Sequence, residues 1–233
     1  MRAYLYLFVF IPVTGLFAFS ASLCTLFDSS GRGYAFHARL WASFGLALNG
    51  TPAVLHGAEH LPAGPFILMS NHQSNFDILT LIAMIPRRIY WIAKKELFDI
   101  PVFGSSMRRG GYIPLDRSDG RKALKSMDNA ASIIRQGCSV VMFPEGTRSR
   151  DGHLLPFKRG GFMLAVRAGV PVIPATVNGS GKVNPGGRID LYSGSITLTL
   201  HPQVTVPEGM KKGEAEEWLM EKVRSVITSG LEN

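Results

Sequence analysis

Apolar and polar positions fall into blocks along this chain, and the longest apolar block comes first. After Arg2, residues 3–27 carry no charged side chain. A straight helix of that length reaches roughly 37 Å, enough to cross a hydrocarbon core. A second uncharged run, residues 40–55, follows Arg39 and holds Trp41 and Phe44, but it is short for a span. Gly31 and Gly33 lie between the runs and suit a turn. Three arrangements stay open. One is a spanning anchor, and another is a helical hairpin dipping into one leaflet, with Pro12 and Gly15 bending its first arm. The third is a cleaved signal peptide, for which Ala18, Ser20 and Ala21 supply small residues but a single Arg gives a weak n-region.

From about residue 60 the blocks shorten and alternate. Pro65-Phe66-Ile67-Leu68-Met69, Ile89-Tyr90-Trp91-Ile92-Ala93 and Tyr112-Ile113-Pro114-Leu115 read as strands, and so do Ser139-Val140-Val141-Met142-Phe143 and residues 172–177. Residues 195–200 alternate Ile, Leu and Thr as a half-buried strand does. Between these runs lie helical stretches at residues 78–85, 121–136, 157–168 and 214–228. The second of them carries Leu124, Met127, Ala131 and Ile134 as a stripe, closed by Gly137. Strands alternating with helices predict an α/β fold: a mostly parallel, helix-covered sheet with an N-terminal membrane-associated helical hairpin. The expected division is residues 1–55 as membrane-anchoring helices and 56–233 as the α/β domain.

Composition narrows the picture. With 46% hydrophobic and 18% charged residues, the 233-residue chain is neither disordered nor acidic and solvating. Cys24 and Cys138 are too few for a disulfide framework and suit reduced thiols in a cytosolic compartment. No Cys/His or His/Glu cluster has metal-ligand spacing, so no metal is expected. The net charge of +8 is uneven: residues 87–167 hold 16 Lys/Arg against 7 Asp/Glu, while the flanks are near neutral. That stretch should face an anionic partner, either a membrane surface or a phosphorylated substrate. No nucleic-acid-binding signature accompanies it.

Two strand-to-turn junctions carry candidate chemistry. Asn71-His72-Gln73-Ser74-Asn75-Phe76-Asp77 follows a buried strand and opens a helix, with Ser74 and Asp77 spaced as a capping box. Inside one helix His72 and Asp77 would point about 140° apart. With His72 in the preceding turn, the carboxylate can reach its Nδ1 and leave Nε2 as a general base. The plainer alternative is that Asp77 only caps the helix. Phe143-Pro144-Glu145-Gly146-Thr147-Arg148-Ser149 is the second junction, where Gly146 permits close approach and Arg148 offers a planar fork to phosphate. Arg117 ends a third strand and supplies a second fork. The alternative is that Arg117 pairs with Asp116 or Asp119, and Arg148 with Glu145 or Asp151. There is no G-x-S-x-G nucleophile elbow, and Gly179-Ser180-Gly181-Lys182 lacks the rest of a phosphate loop.

In this order the segments resemble the glycerophospholipid acyltransferase family. His72 to Asp77 looks like its H-x4-D block. Gly111 to Arg117 looks like the second block, F-P-E-G-T-R-S from Phe143 the third, and Val170-Pro171-Val172-Ile173-Pro174 the fourth. Lys158 stands where the family usually carries a Lys. Asn-His-Gln-Ser is most similar to the members acting on 1-acyl-glycerol 3-phosphate. The resemblance implies acyl transfer from acyl-CoA or acyl-carrier protein, with no cofactor, to the sn-2 hydroxyl of that lysophosphatidate. His72 would be the base and Asp77 its orienter, with Arg117, Glu145, Gly146, Thr147, Arg148 and Lys158 around the acceptor. It further implies a phospholipid membrane as partner and a cytoplasmic-facing catalytic domain, at the inner membrane of a bacterium. The same chemistry on another acceptor, or a catalytically silent lipid-binding protein, are the alternatives.

Overall fold

The computed structural model describes residues 1–116, 119–186 and 188–232. Seven strands form one sheet: β1 (Ala53–His56), β2 (Ile67–Ser70), β3 (Tyr90–Lys94), β4 (Ile113–Leu115), β5 (Val140–Met142), β6 (Val172–Asn178) and β7 (Ile196–Leu200). Their spatial order is β1-β7-β6-β2-β5-β3-β4. All neighbours are parallel except β6 and β7, so the β1–β7 pair runs against the other five strands. Every residue of β2, β5 and β6 is buried, as expected of central parallel strands covered on both faces.

Helices supply the two covers. Phe66 and Leu68 face a core shared with α2 (Arg32–Leu48) and α3 (Phe76–Met84). The alternate residues Ile67 and Met69 face α5 (Gly120–Arg135), α6 (Arg159–Ala168) and α8 (Lys212–Gly230). In α5 the stripe buries Met127, Ala131 and Ile134, whereas Leu124, expected inward, is 40% exposed one turn from the helix start. The helix ends in a Schellman motif: Gly137, at φ 102°, donates to Ile134 O, and Cys138 donates to Ile133 O.

The apolar N-terminus forms a helical pair. It consists of α1 (Arg2–Cys24), which is long and apolar enough to cross a membrane, and α2. Both arms pack on the domain. Tyr6 of α1 meets Phe76 at 5.8 Å, Arg39 of α2 donates to Ile85 O, and Trp41 Nε1 of α2 joins the arms by donating to Thr14 Oγ1 of α1 at 2.9 Å. Arginines tie both ends of the pair: Arg2 bonds Asn49 Oδ1 and Ser193 Oγ, and Arg88 bonds Ser30 O at the turn. β1, α4 (Phe103–Arg109) and α7 (Ser180–Val183) were not foreseen. Residues 53–55, assigned to the anchoring segment by sequence, pair with β7 in the sheet.

Candidate active site

β2 and β5 are parallel neighbours, so the loops that follow them leave the carboxyl edge of the sheet side by side. Each carries one of the two motifs, and main-chain hydrogen bonds join them. Glu145 is buried, and both its carboxylate oxygens are used. Oε1 accepts from His72 N–H at 2.6 Å, and Oε2 accepts from Leu155 N–H at 2.8 Å. Ser149 N–H donates to His72 O at 2.8 Å. The F-P-E-G-T-R-S turn therefore grips the backbone of His72 at both its amide and its carbonyl. Burial raises the Glu145 carboxyl above its ordinary range, although both amide bonds pull it down.

Asp77 is fully buried and collects three donors on Oδ2: His72 Nδ1 at 2.8 Å, Gln73 N at 2.7 Å and Ser74 N at 2.8 Å. Ser74 Oγ in turn accepts from Phe76 N–H. These are capping-box bonds with Ser74 at the cap, although the hydrogen-bonded helix begins two residues later at Phe76. An ionised carboxylate is an acceptor only, so it holds the ring proton on Nδ1 and leaves a lone pair on Nε2. No described residue hydrogen-bonds Nε2, and the imidazole is 12% exposed. The ring lies flat on Phe143, with centroids 3.7 Å apart and planes 6° apart. Phe143 was visible in the motif without a role. Its aromatic character beside the turn was the only signal for this stacking. Asn71 was likewise unassigned; its side chain bonds both the N–H and C=O of Val177, extending β2 along β6.

The remaining expected residues gather around the same turn, with one outside view. Arg148 is half-buried and pairs with neither Glu145 nor Asp151: Asp151 accepts from Ser149 Oγ and His153 N. Thr147 is exposed. Lys158 lies over Gly146, where a Cβ would come 3.0 Å from its Cδ and 3.1 Å from its Nζ. Gly146 itself sits at φ 72°, which favours glycine. Arg117 lies outside the described residues. Glu145, expected around the acceptor, gives both its oxygens to backbone amides. The amides at the start of α3 are also engaged: Gln73 and Ser74 donate to Asp77, and Phe76 donates to Ser74. Among the described residues no three His, Cys, Asp or Glu side chains gather around a metal position. Cys24 and Cys138 are free thiols.

One ring beyond Phe143 stands Trp91, at 5.7 Å. Trp91 borders an apolar cavity of about 130 Å³ lined also by Phe17 and Ala21 of α1, Trp41 of α2, Ile78 of α3 and Met107 of α4. Among the described residues, the site thus combines an imidazole whose Nε2 is unengaged, a guanidinium without a partner on the adjoining turn and an apolar recess.

A mostly parallel α/β sheet with a His–Asp pair at its carboxyl edge is the class this fold and site define. A family model described as Acyltransferase matches residues 53–178, and the chain belongs to that family. Over 183 residues it is 38% identical to a chloroplastic 1-acyl-sn-glycerol-3-phosphate acyltransferase of Brassica napus, covering 77% of this chain and 53% of that one. It is 39% identical over 184 residues to the alpha 1-acyl-sn-glycerol-3-phosphate acyltransferase of Bos taurus, covering 78% and 63%. The chain spans about half the length of the plant relatives it matches. A crystal structure of the 1-acyl-sn-glycerophosphate acyltransferase of Thermotoga maritima is similar over 98% of this chain and 97% of that one. The TM-score is 0.82 and the sequence identity 26%. The expected fold, an N-terminal apolar helix before a mostly parallel α/β domain, is the observed one.

Proposed function

We propose that this protein is a membrane-bound 1-acyl-sn-glycerol-3-phosphate acyltransferase. It moves an acyl group from acyl-CoA or acyl-carrier protein to the free sn-2 hydroxyl of a lysophosphatidate. The observation that carries the reading is the His72–Asp77 pair, 2.8 Å apart, with Nε2 unengaged, in a chain of the acyltransferase family. Relatives named for the same activity support the choice of acceptor.

His72 Nε2 takes the proton of the acceptor hydroxyl as its oxygen attacks the thioester carbonyl, and Asp77 stabilises the imidazolium that forms. Collapse of the tetrahedral intermediate expels the thiolate, which recovers the proton from His72. Phosphatidate and a free thiol are the products, and no covalent enzyme intermediate is needed. Arg148, Arg117 and Lys158 hold the phosphate, and Thr147 offers a hydroxyl to the glycerol. Fixing the acceptor this way makes the attack effectively intramolecular. Glu145 acts one step back, by fixing the backbone of His72. The cavity beyond Trp91 accepts an alkyl chain. The catalytic domain faces the cytoplasm, where both thioester donors are found.

The test is an assay of purified full-length protein with lysophosphatidate and labelled acyl-CoA or acyl-carrier protein, run beside His72→Ala. Phosphatidate should form with wild type and fall by about 10²–10⁴ in the variant. Near-wild-type turnover by His72→Ala would sink the base assignment. No product with either donor would instead move the activity to another acceptor.

A further inference from the structure

Resting on the membrane reading above, with α1 seated along the bilayer surface, we propose that residues 97–102 enter an anionic bilayer as a second apolar contact beside α1.

Two observations set α1 along the protein surface. Its inner side is buried at both ends, by Ala3 and Tyr6 near the start and by Ala18 and Ala21 near the finish. The arginine ties at Arg2 and Arg88 fix the two ends of the helical pair to the domain. A helix standing across a bilayer would leave these partners. The opposite side of α1 is apolar and open: Tyr4, Phe8, Ile11, Phe19 and Leu23 are exposed at helical spacing. A helix with one side on a domain and the other apolar and bare suits the bilayer interface.

The second contact begins where α1 ends its packing. Leu97, Ile100 and Val102 are 39%, 44% and 48% exposed. The apolar surface is continuous, because Leu97 and Phe103 border the same cavity as Phe17 and Ala21 of α1. Val102 has φ 64° and ψ −57°, an unfavourable backbone for a β-branched residue, and glycine would relieve it. Charge completes the match. Lys94 and Lys95 precede the loop and Arg108 and Arg109 follow it, all exposed, against Glu96 just before it and Asp99 within it. Two of the cations are paired, Lys95 with the half-buried Asp116 and Arg108 with the exposed Asp99, while Lys94 and Arg109 have no partner among the described residues. An apolar tip in a basic collar fits acyl chains under anionic headgroups. An acidic protein would satisfy the collar and leave the tip bare.

The test uses full-length Cys24→Ser, Cys138→Ser protein with Ile100→Cys carrying an environment-sensitive fluorophore, and vesicles of phosphatidylglycerol and phosphatidylcholine. Co-sedimentation is measured in parallel. The expected result is a blue shift on vesicle addition and quenching by lipids bearing a nitroxide near the headgroup. The same label at Glu217, exposed on α8, should show neither. Ile100→Asp combined with Val102→Asp should weaken vesicle partitioning roughly tenfold or more, from the lost apolar transfer. Activity on substrate in detergent micelles should be unchanged. If the protein sediments with vesicles while the label at 100 stays equally open to aqueous iodide, the second contact is wrong and membrane binding stands. Protection of the label by acidic carrier protein but not by vesicles would overturn it in favour of a protein partner. Failure to sediment would overturn both this inference and the membrane reading.

Discussion

At the scale of single residues, Glu145 and Arg148 sit three positions apart in one turn and do different work. Glu145 satisfies two backbone amides, those of His72 and Leu155. Its removal leaves both donors in a buried place and loosens the backbone of His72. Arg148 pairs with no described residue and remains available to an anion. The two substitutions should therefore separate in steady-state kinetics. Glu145→Ala should lower kcat with little change in the acceptor's KM. Arg148→Ala should raise the acceptor's KM by about 10–100-fold, the equivalent of one charge-assisted bond of roughly 1.5–3 kcal/mol. Equal effects on both constants in both variants would remove the distinction. Gly146 adds a check. Gly146→Ala forces a Cβ to 3.0 Å from the Lys158 side chain at φ 72°. It should cost about 1 kcal/mol or more of stability by urea unfolding and displace Lys158 as well. Sequence reading found the turn and its residue types. It could not tell which polar groups point at substrate and which at backbone, because neighbours in sequence diverge once the chain turns.

At the scale of elements, legibility followed burial. β2, β5 and β6 stood out because strands covered on both faces are continuous apolar runs, and α5 because three of its four stripe residues do face the core. β1 was missed because Ala-Val-Leu-His is short and alternates in exposure, and α4 because seven residues give barely two turns of periodicity. The reversal at β7 was also hidden, since pairing direction depends on partners far along the chain. That reversed strand ends beside a titratable contact. His201 Nε2 stands 2.7 Å from Thr176 Oγ1 on β6, and burial, with a smaller push from His60, lowers its pKa below the ordinary 6.5. A base whose folded pKa is depressed binds fewer protons when folded. Its contribution is therefore complete above about 6.5 and is lost as pH falls through the folded value. Wild type should lose more unfolding free energy between about pH 7.5 and 5.5 than His201→Gln does, measured by urea titration. Parallel pH curves for the two proteins would contradict this.

At the scale of the whole molecule, the helical pair is built into the domain. The sequence suggests a division near residue 55, yet the apolar cavity takes walls from both sides of it: Phe17, Ala21 and Trp41 from the pair, Ile78, Trp91 and Met107 from the domain. Such a cavity exists only while the pair is docked, which gives the arginine ties at Arg2 and Arg88 a bearing on chemistry as well as on attachment. If the cavity holds an alkyl chain, its far wall limits that chain's length. Ala21 is buried and lines this recess, as does Trp91, which stands two rings from His72. Ala21→Phe would fill part of the recess and displace the chain's last methylenes. At about 0.8 kcal/mol per buried methylene, losing two should lower kcat/KM for 16- and 18-carbon chains by roughly tenfold relative to 12-carbon chains. The comparison is made across chain lengths within one preparation, so a change in the folded fraction cancels. Varying the length in the donor and in the lysophosphatidate separately shows which of the two chains the cavity holds. If every length is impaired equally in both series, the chain lies elsewhere and the cavity is only a packing defect between the pair and the domain.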